Sequence, residues 1–256
     1  MSLNDRLTVR RVVITALGLG LTVVAGAAPP LPMGDPALRD TKAPAAHPNI
    51  SGVWQVAGGG LRITPVGGGD PPWKPWAEKV FRDRAEDEKR GVTRWDPTGA
   101  CYGSGVPRIF TAGYLTEIIQ TEKQIVWIYE SQHVWRIIHL DTKMPDKLEP
   151  SIRGYSVGRW EGDTLVVETA GFSRKGQIDE RGTMMTDHTR LVERIRLVGN
   201  QLENRFTISD PTAYNTPWES RRAFNYKGDM RLAEYVCEEN NRNVPGADGT
   251  FKTIIK

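Results

Sequence analysis

The run Tyr155-Ser156-Val157-Gly158-Arg159-Trp160-Glu161-Gly162-Asp163-Thr164-Leu165-Val166-Val167-Glu168-Thr169 decides the fold class. Two alternating arms, rich in β-branched and aromatic residues, flank Glu161-Gly162-Asp163, where glycine supplies the positive φ of a tight turn. The run reads as a β-hairpin, and its neighbours repeat the logic. Before it, Leu115–Thr121 and Gln124–Glu130 pair across Glu122-Lys123, and Val134–Leu140 follows Ser131-Gln132-His133. After it, strands are expected over 188–198, 201–209, 218–226 and 230–237. Ser51–Val56 reads as a first strand and Leu61–Thr64 as a short one between glycine clusters. About ten strands, each able to form a hairpin with the next, predict an all-β fold, an antiparallel meander β-barrel of about 8–10 strands.

One short surface helix is expected over Trp76–Arg90, dense in charge, with Trp76, Val80 and Phe81 on its apolar side. The long connections at 96–114, 141–152, 170–187 and 210–217 would gather at an open mouth where a ligand enters. The tight turn at Glu161-Gly162-Asp163 would then mark the closed end.

At 256 residues the chain could hold one large all-β domain or two small ones. A net charge of +3 with no basic block after the leader argues against nucleic-acid binding. Eight Trp residues suit a flat ligand or simply fill a barrel. Residues 1–27 have the form of a signal peptide. Arg6, Arg10 and Arg11 precede an apolar run of 13 residues, Val12 to Val24, too short to span a membrane, and Ala25-Gly26-Ala27 suits cleavage. Arg10-Arg11 hints at twin-arginine export, and the export route is left open. Residues 28–50 read as a Pro/Ala-rich disordered lead-in, 51–241 as the barrel domain and 242–256 as a polar tail. The expected location is periplasmic or secreted, with no stable membrane insertion after cleavage and homo-oligomerisation left open.

Export gives Cys101 and Cys237, the two cysteines, a meaning: an oxidising compartment favours a disulfide between them. Closing so long a loop would contribute roughly 4–5 kcal/mol as an upper figure. A catalytic thiol or metal ligation are the alternatives, and the spacing supports neither.

Alternation also assigns faces. Leu191, Glu193, Ile195 and Leu197 share one, Arg136 lies with Val134, Ile138 and Leu140, and Glu234 lies with Met230, Leu232 and Val236. Inward charges are costly unless paired. They read either as a structural pair, Arg136–Glu193 or Arg136–Glu234, or as a desolvated acid/base carboxylate beside an Arg that steadies an oxyanion. Among the histidines, His188 beside Asp187 at the edge of a long loop is the first catalytic candidate and His133 the second. No metal-binding spacing, nucleophile elbow, P-loop or dinucleotide fingerprint occurs, so no metal and no cofactor is expected. The candidate catalytic set is Arg108, Tyr129, Arg136, Tyr155, His188 and Glu193; Trp127, His133, Trp135, Tyr214 and Trp218 are candidates for lining a ligand.

Several runs together resemble a large family of secreted bacterial proteins, most of whose members carry no assigned function. They are Ser51-Gly52-Val53-Trp54, Asp96-Pro97 with Cys101 and Gly105-Val106-Pro107-Arg108, the stretch Ser156 to Val167, Asp210-Pro211 with Tyr214, and Glu234-Tyr235-Val236-Cys237-Glu238-Glu239-Asn240. The resemblance covers about residues 50–241 and implies a lipocalin-like barrel, whose first strand carries a Gly-x-Trp. It also implies an association with catabolism of plant-derived aromatics, including cofactor-free lyases. The family's His-Ser-acid run before the strand at 188 is replaced here by Met185-Thr186-Asp187, which leaves His188 in a different register.

These readings converge on a periplasmic, cofactor-independent lyase or isomerase acting on a small aromatic or apolar molecule in a barrel cavity. A lipocalin-like binding protein without catalysis is the alternative, and a structural envelope module a third.

Overall fold

A computed structural model describes residues 46–58, 60–93, 95–240, 243–245 and 251–253; the expected signal peptide and most of the lead-in lie outside them. Nine strands close into a barrel in sequence order: β1 (Gly52–Val56), β2 (Leu115–Gln120), β3 (Gln124–Tyr129), β4 (Trp135–Leu140), β5 (Tyr155–Glu161), β6 (Thr164–Ala170), β7 (Arg190–Val198), β8 (Gln201–Ser209) and β9 (Trp218–Tyr226). Closure is made by β9 on β1, with Trp54 opposite Tyr226 and Val56 opposite Phe224. The all-β barrel expected from the alternation is therefore present, with one helix of consequence, α1 (Pro75–Lys89). Its proline falls in the first turn, where a missing N–H costs nothing.

One joint differs from a pure antiparallel meander. β4 and β5 run parallel, with Ile138 opposite Ser156 and Leu140 opposite Gly158. The connection after Leu140 carries the chain back to the opposite end before β5 begins. Gly158 makes this joint possible, because a Cβ there would lie 2.7 Å from Ile138 Cγ2. The β5–β6 turn is tight, as its sequence requires, with Gly162 at φ 64°.

Two expected strands are absent. Leu61–Thr64 is irregular, although Ile63 is fully buried and its amide donates to Asp179 Oδ2 at 3.1 Å. The stretch 230–237 has strand-like alternation, but β1 already occupies the free edge of β9, so no ladder is left for it. It runs as irregular chain, Glu234 is exposed, and α2 (Cys237–Asn240) follows. Beyond it, where a polar tail was expected, β10 (Asn243–Pro245) pairs with β11 (Phe251–Thr253). On α1 the buried contact is Ala77 rather than Trp76, whose exposed indole donates to Thr212 O at 2.8 Å. Cys101 and Cys237 form the expected disulfide, Cα to Cα 5.6 Å. Among the described residues no helix is long and apolar enough to cross a membrane.

The strand directions place the turns at 121–123, 162–163 and 199–200 at one end, and the connections 57–114, 130–134, 171–189 and 210–217 at the other. Three of the four long connections expected at one mouth gather here, while 141–152 starts from the other end and runs the length of the barrel; among the described residues the gathered loops cover this end rather than leave it open. They carry a second apolar layer of their own: Ile63, Trp73, Val106, Ile109, Phe110, Ile178 and Tyr214 are all buried. A 3-10 turn, Arg108–Thr111, drives Phe110 against the inward-facing Trp127, Phe206 and Phe224, with ring centroids 5.7–6.4 Å apart. Two buried carboxylates hold the layer in place. Asp179 accepts from Arg181 N, Thr183 N and Thr183 Oγ1, and Asp210 from Thr186, Thr189, Thr212 and Ala213. Each satisfies loop amides that would otherwise be buried without partners.

Candidate functional site at the loop end

The residues nominated from sequence fall in separate places. Arg136, Glu193, Tyr129 and Trp127 meet inside the barrel, all at most 4% exposed. Arg136 grips Glu193 with both terminal nitrogens, and its Nε and Nη2 donate to Ser156 Oγ (2.9 Å) and Thr169 Oγ1 (2.7 Å). Asn204 Nδ2 completes the shell on Glu193 at 2.9 Å. Burial disfavours the Arg136 charge, yet the facing Glu193 outweighs it and raises the guanidinium pKa. The structural pairing expected from strand parity is thus realised with Glu193. Burial pushes the Tyr129 phenol far above its ordinary value, so it stays protonated and offers no phenolate at neutral pH.

Tyr155 lies elsewhere, stacked on His139 at 4.8 Å. Trp135 is 47% exposed under Arg153, 4.1 Å from its ring. His188 is exposed at the end of the 171–189 connection, 3.8 Å from Asp187. His133 sits in a short 3-10 turn, Ser131–His133. Tyr214 and Trp218 pack edge to face in the end layer, and the Tyr214 hydroxyl donates to Met184 O at 2.7 Å. Of the six nominated catalytic residues, Arg136, Tyr129 and Glu193 thus meet in the sealed interior, and Arg108, Tyr155 and His188 lie apart from them.

Arg108 leads to a second arrangement, beside a cleft at the loop end. Asp96 caps the 3-10 turn Pro97–Ala100 by accepting from Thr98 N at 2.9 Å, and takes Arg108 bidentately, 2.8 Å to each oxygen. Burial opposes ionisation of Asp96, but Arg108 and Thr98 hold its carboxyl below the ordinary value. Arg108 also donates to Gln177 Oε1, and Gln177 Nε2 donates to Trp95 O at 2.9 Å. This network fixes the floor of a cleft of about 280 Å³ lined by Arg84, Trp95, Pro97, Tyr102, Arg174, Lys175, Gly176 and Gln177.

Its walls are two aromatic rings, each faced by a cation. The Arg84 guanidinium lies 5.6 Å from the Trp95 ring and donates to Gly182 O at 2.6 Å; the Lys175 ammonium lies 5.9 Å from the Tyr102 ring. Gly182, at φ 77°, is required here, since a Cβ would come within 2.8 Å of the Trp95 ring. Burial lowers the Arg84 pKa, with only Asp96 opposing. Among the described residues, Arg174 alone of the three cations is neutralised at short range, by Asp187 at 3.1 Å. The Trp95 indole N–H is buried without a partner among the described residues. The lining is flat, apolar and net positive.

Trp95, Arg84, Lys175 and Gln177 carried no sequence signal of their own, because they come from a helix and two loops with no shared period. The one usable sign was Asp96-Pro97-Thr98, a turn cap that also fixes Arg108.

Neither a scan of family models nor a search of curated proteins found a match. Solved structures similar to the chain include the REP1-NXSQ fatty acid transporter, with 9% identity, 70% of this chain and 96% of that chain covered and a TM-score of 0.35. A zebrafish ileal bile acid-binding protein complexed with cholic acid is 11% identical, with 69% and 98% covered and a TM-score of 0.34. A Schistosoma mansoni fatty acid binding protein in complex with arachidonic acid is 10% identical, with 69% and 95% covered and a TM-score of 0.34.

Proposed function

We propose that this is an exported binding protein for a small aromatic carboxylate, held in the loop-end cleft without chemical change. One observation carries the reading: two aromatic faces and three cations, one of them desolvated, line a cleft sized for a single ring system. A flat ring gains apolar and stacking contact against Trp95 or Tyr102. Its carboxylate reaches Lys175 or Arg84 and restores the charge balance that burial denies Arg84. A long-chain fatty acid has no such fit, because the barrel interior is occupied by Phe110, Trp127, Phe206 and Phe224. The leader-like N-terminus and the disulfide support export to the periplasm or beyond.

The test is calorimetric titration with 4-hydroxybenzoate, benzyl alcohol and hexanoate. The carboxylate with a ring should bind with a Kd below about 100 μM, and the neutral ring and the ringless acid at least about tenfold more weakly. Trp95→Ala or Lys175→Ala should remove most of that preference while the melting temperature holds. Equal affinity for all three compounds, or none for any, overturns the proposal. A new product in the incubated mixture would replace binding by catalysis.

A further inference from the structure

A second site lies at the seam where the barrel closes. The β1–β9 pairing ends with Val56 opposite Phe224, and Ala57 N makes one further bond to Ala223 O at 2.8 Å. Beyond that point the segment 62–66 takes over the edge of β9: Arg222 Nη2 donates to Arg62 O (2.7 Å), Ser220 Oγ to Thr64 O (2.7 Å) and Val66 N to Glu219 O (2.9 Å). Between the two pairings opens a cleft of about 430 Å³, lined among others by Gly58, Glu203, Asn204, Arg205, Arg221 and Arg222.

Its charges are out of balance. Arg205 and Arg221 stand directly opposite each other across β8 and β9, a like-charge pair that weakens a sheet. Neither has an ion pair among the described residues. Arg222 is only 8% exposed, yet among the described residues its guanidinium donates to main-chain carbonyls alone, those of Arg62 and Arg221, and its Nε is buried without a partner. The one carboxylate in the lining, Glu203, is engaged by Arg196 at 3.3 Å. Among the described residues Arg222 has no carboxylate in direct contact; the Asp179 charge favours its guanidinium without pairing with it, and a bound anion would supply the missing direct partner.

We propose that this seam binds a polyvalent oxyanion of the phosphate class, as free phosphate or as a phosphate monoester. Three arginines that line one cleft suit a dianion with several acceptor oxygens better than a single carboxylate. The site shares no residue with the loop-end cleft and does not depend on what binds there.

The experiment is calorimetric titration of the whole chain with inorganic phosphate and, separately, glycerol phosphate, each against chloride at equal ionic strength. Saturable binding is expected, weakened about tenfold in the surface variant Arg205→Gln/Arg221→Gln and further in Arg222→Met. Affinity for 4-hydroxybenzoate should stay unchanged in the surface variant. Tighter binding of glycerol phosphate assigns a monoester, and equal binding assigns free phosphate. If the folded wild type binds neither, or the surface variant binds both as the wild type does, the proposal fails. The surface variant keeps the test decisive should Arg222→Met not fold.

Discussion

Arg136 and Glu193 are the most consequential single residues of the barrel interior. Both are essentially inaccessible, and each is satisfied by the other and by Ser156, Thr169 and Asn204. Removing one partner strands a buried charge, so Arg136→Met and Glu193→Gln should each lose about 3–5 kcal/mol in urea denaturation. The double variant Arg136→Met/Glu193→Leu should be less damaging than the two losses summed, because the charges vanish together. Asp96 gives a pH-dependent counterpart. Its folded pKa lies below the ordinary 3.8. The stability it contributes is therefore complete above that ordinary value and is lost as pH falls through the depressed one. The wild-type advantage over Asp96→Asn, measured by urea midpoints from about pH 7 down to about pH 3, should shrink towards the acid end. At this scale the inward charges were legible, since strand parity alone put Arg136 and Glu193 on the apolar face. Trp95, Arg84 and Lys175 were not, since residues brought together by loop geometry leave no periodic trace.

The strands show where local pattern suffices and where closure decides. Period-two alternation located β2 to β9 nearly to the residue, and Gly162 fixed the turn between β5 and β6. Alternation says nothing of strand direction, so the parallel β4–β5 joint was hidden; it depends on the path of residues 141–154. It also cannot say that an edge is taken, which is why 230–237 alternates like a strand without being one. Gly158 holds the parallel joint together. Gly158→Val would force its side chain into Ile138 and Leu140, and a loss of about 1–3 kcal/mol is expected from overpacking in a denaturant titration. The disulfide ties the 3-10 turn after Asp96 to α2. Cys101→Ser/Cys237→Ser should lower stability by about 2–5 kcal/mol by the same measurement and loosen the wall that carries Tyr102.

For the whole molecule, the described residues show a barrel that is packed rather than hollow. Its interior is filled by aromatic side chains and one ion pair, and its long loops close the end instead of opening it. Phe110 is the plug: Phe110→Ala should cost about 3–5 kcal/mol yet leave ligand affinity in the loop-end cleft nearly unchanged. The gathering of long connections at one end was readable from their lengths. Their closure was not, because it rests on apolar residues scattered through 63–214, none of which belongs to a strand of the barrel. A small aromatic acid is proposed to bind in this loop-end cleft and not in the barrel. Two-dimensional NMR of the tryptophan indole N–H groups during titration with 4-hydroxybenzoate tests it most directly, because Trp95 reports on the cleft and Trp127 on the interior. Saturable movement of the Trp95 resonance, with that of Trp127 still, is the expected result; movement of Trp127 with Trp95 unaffected would contradict it.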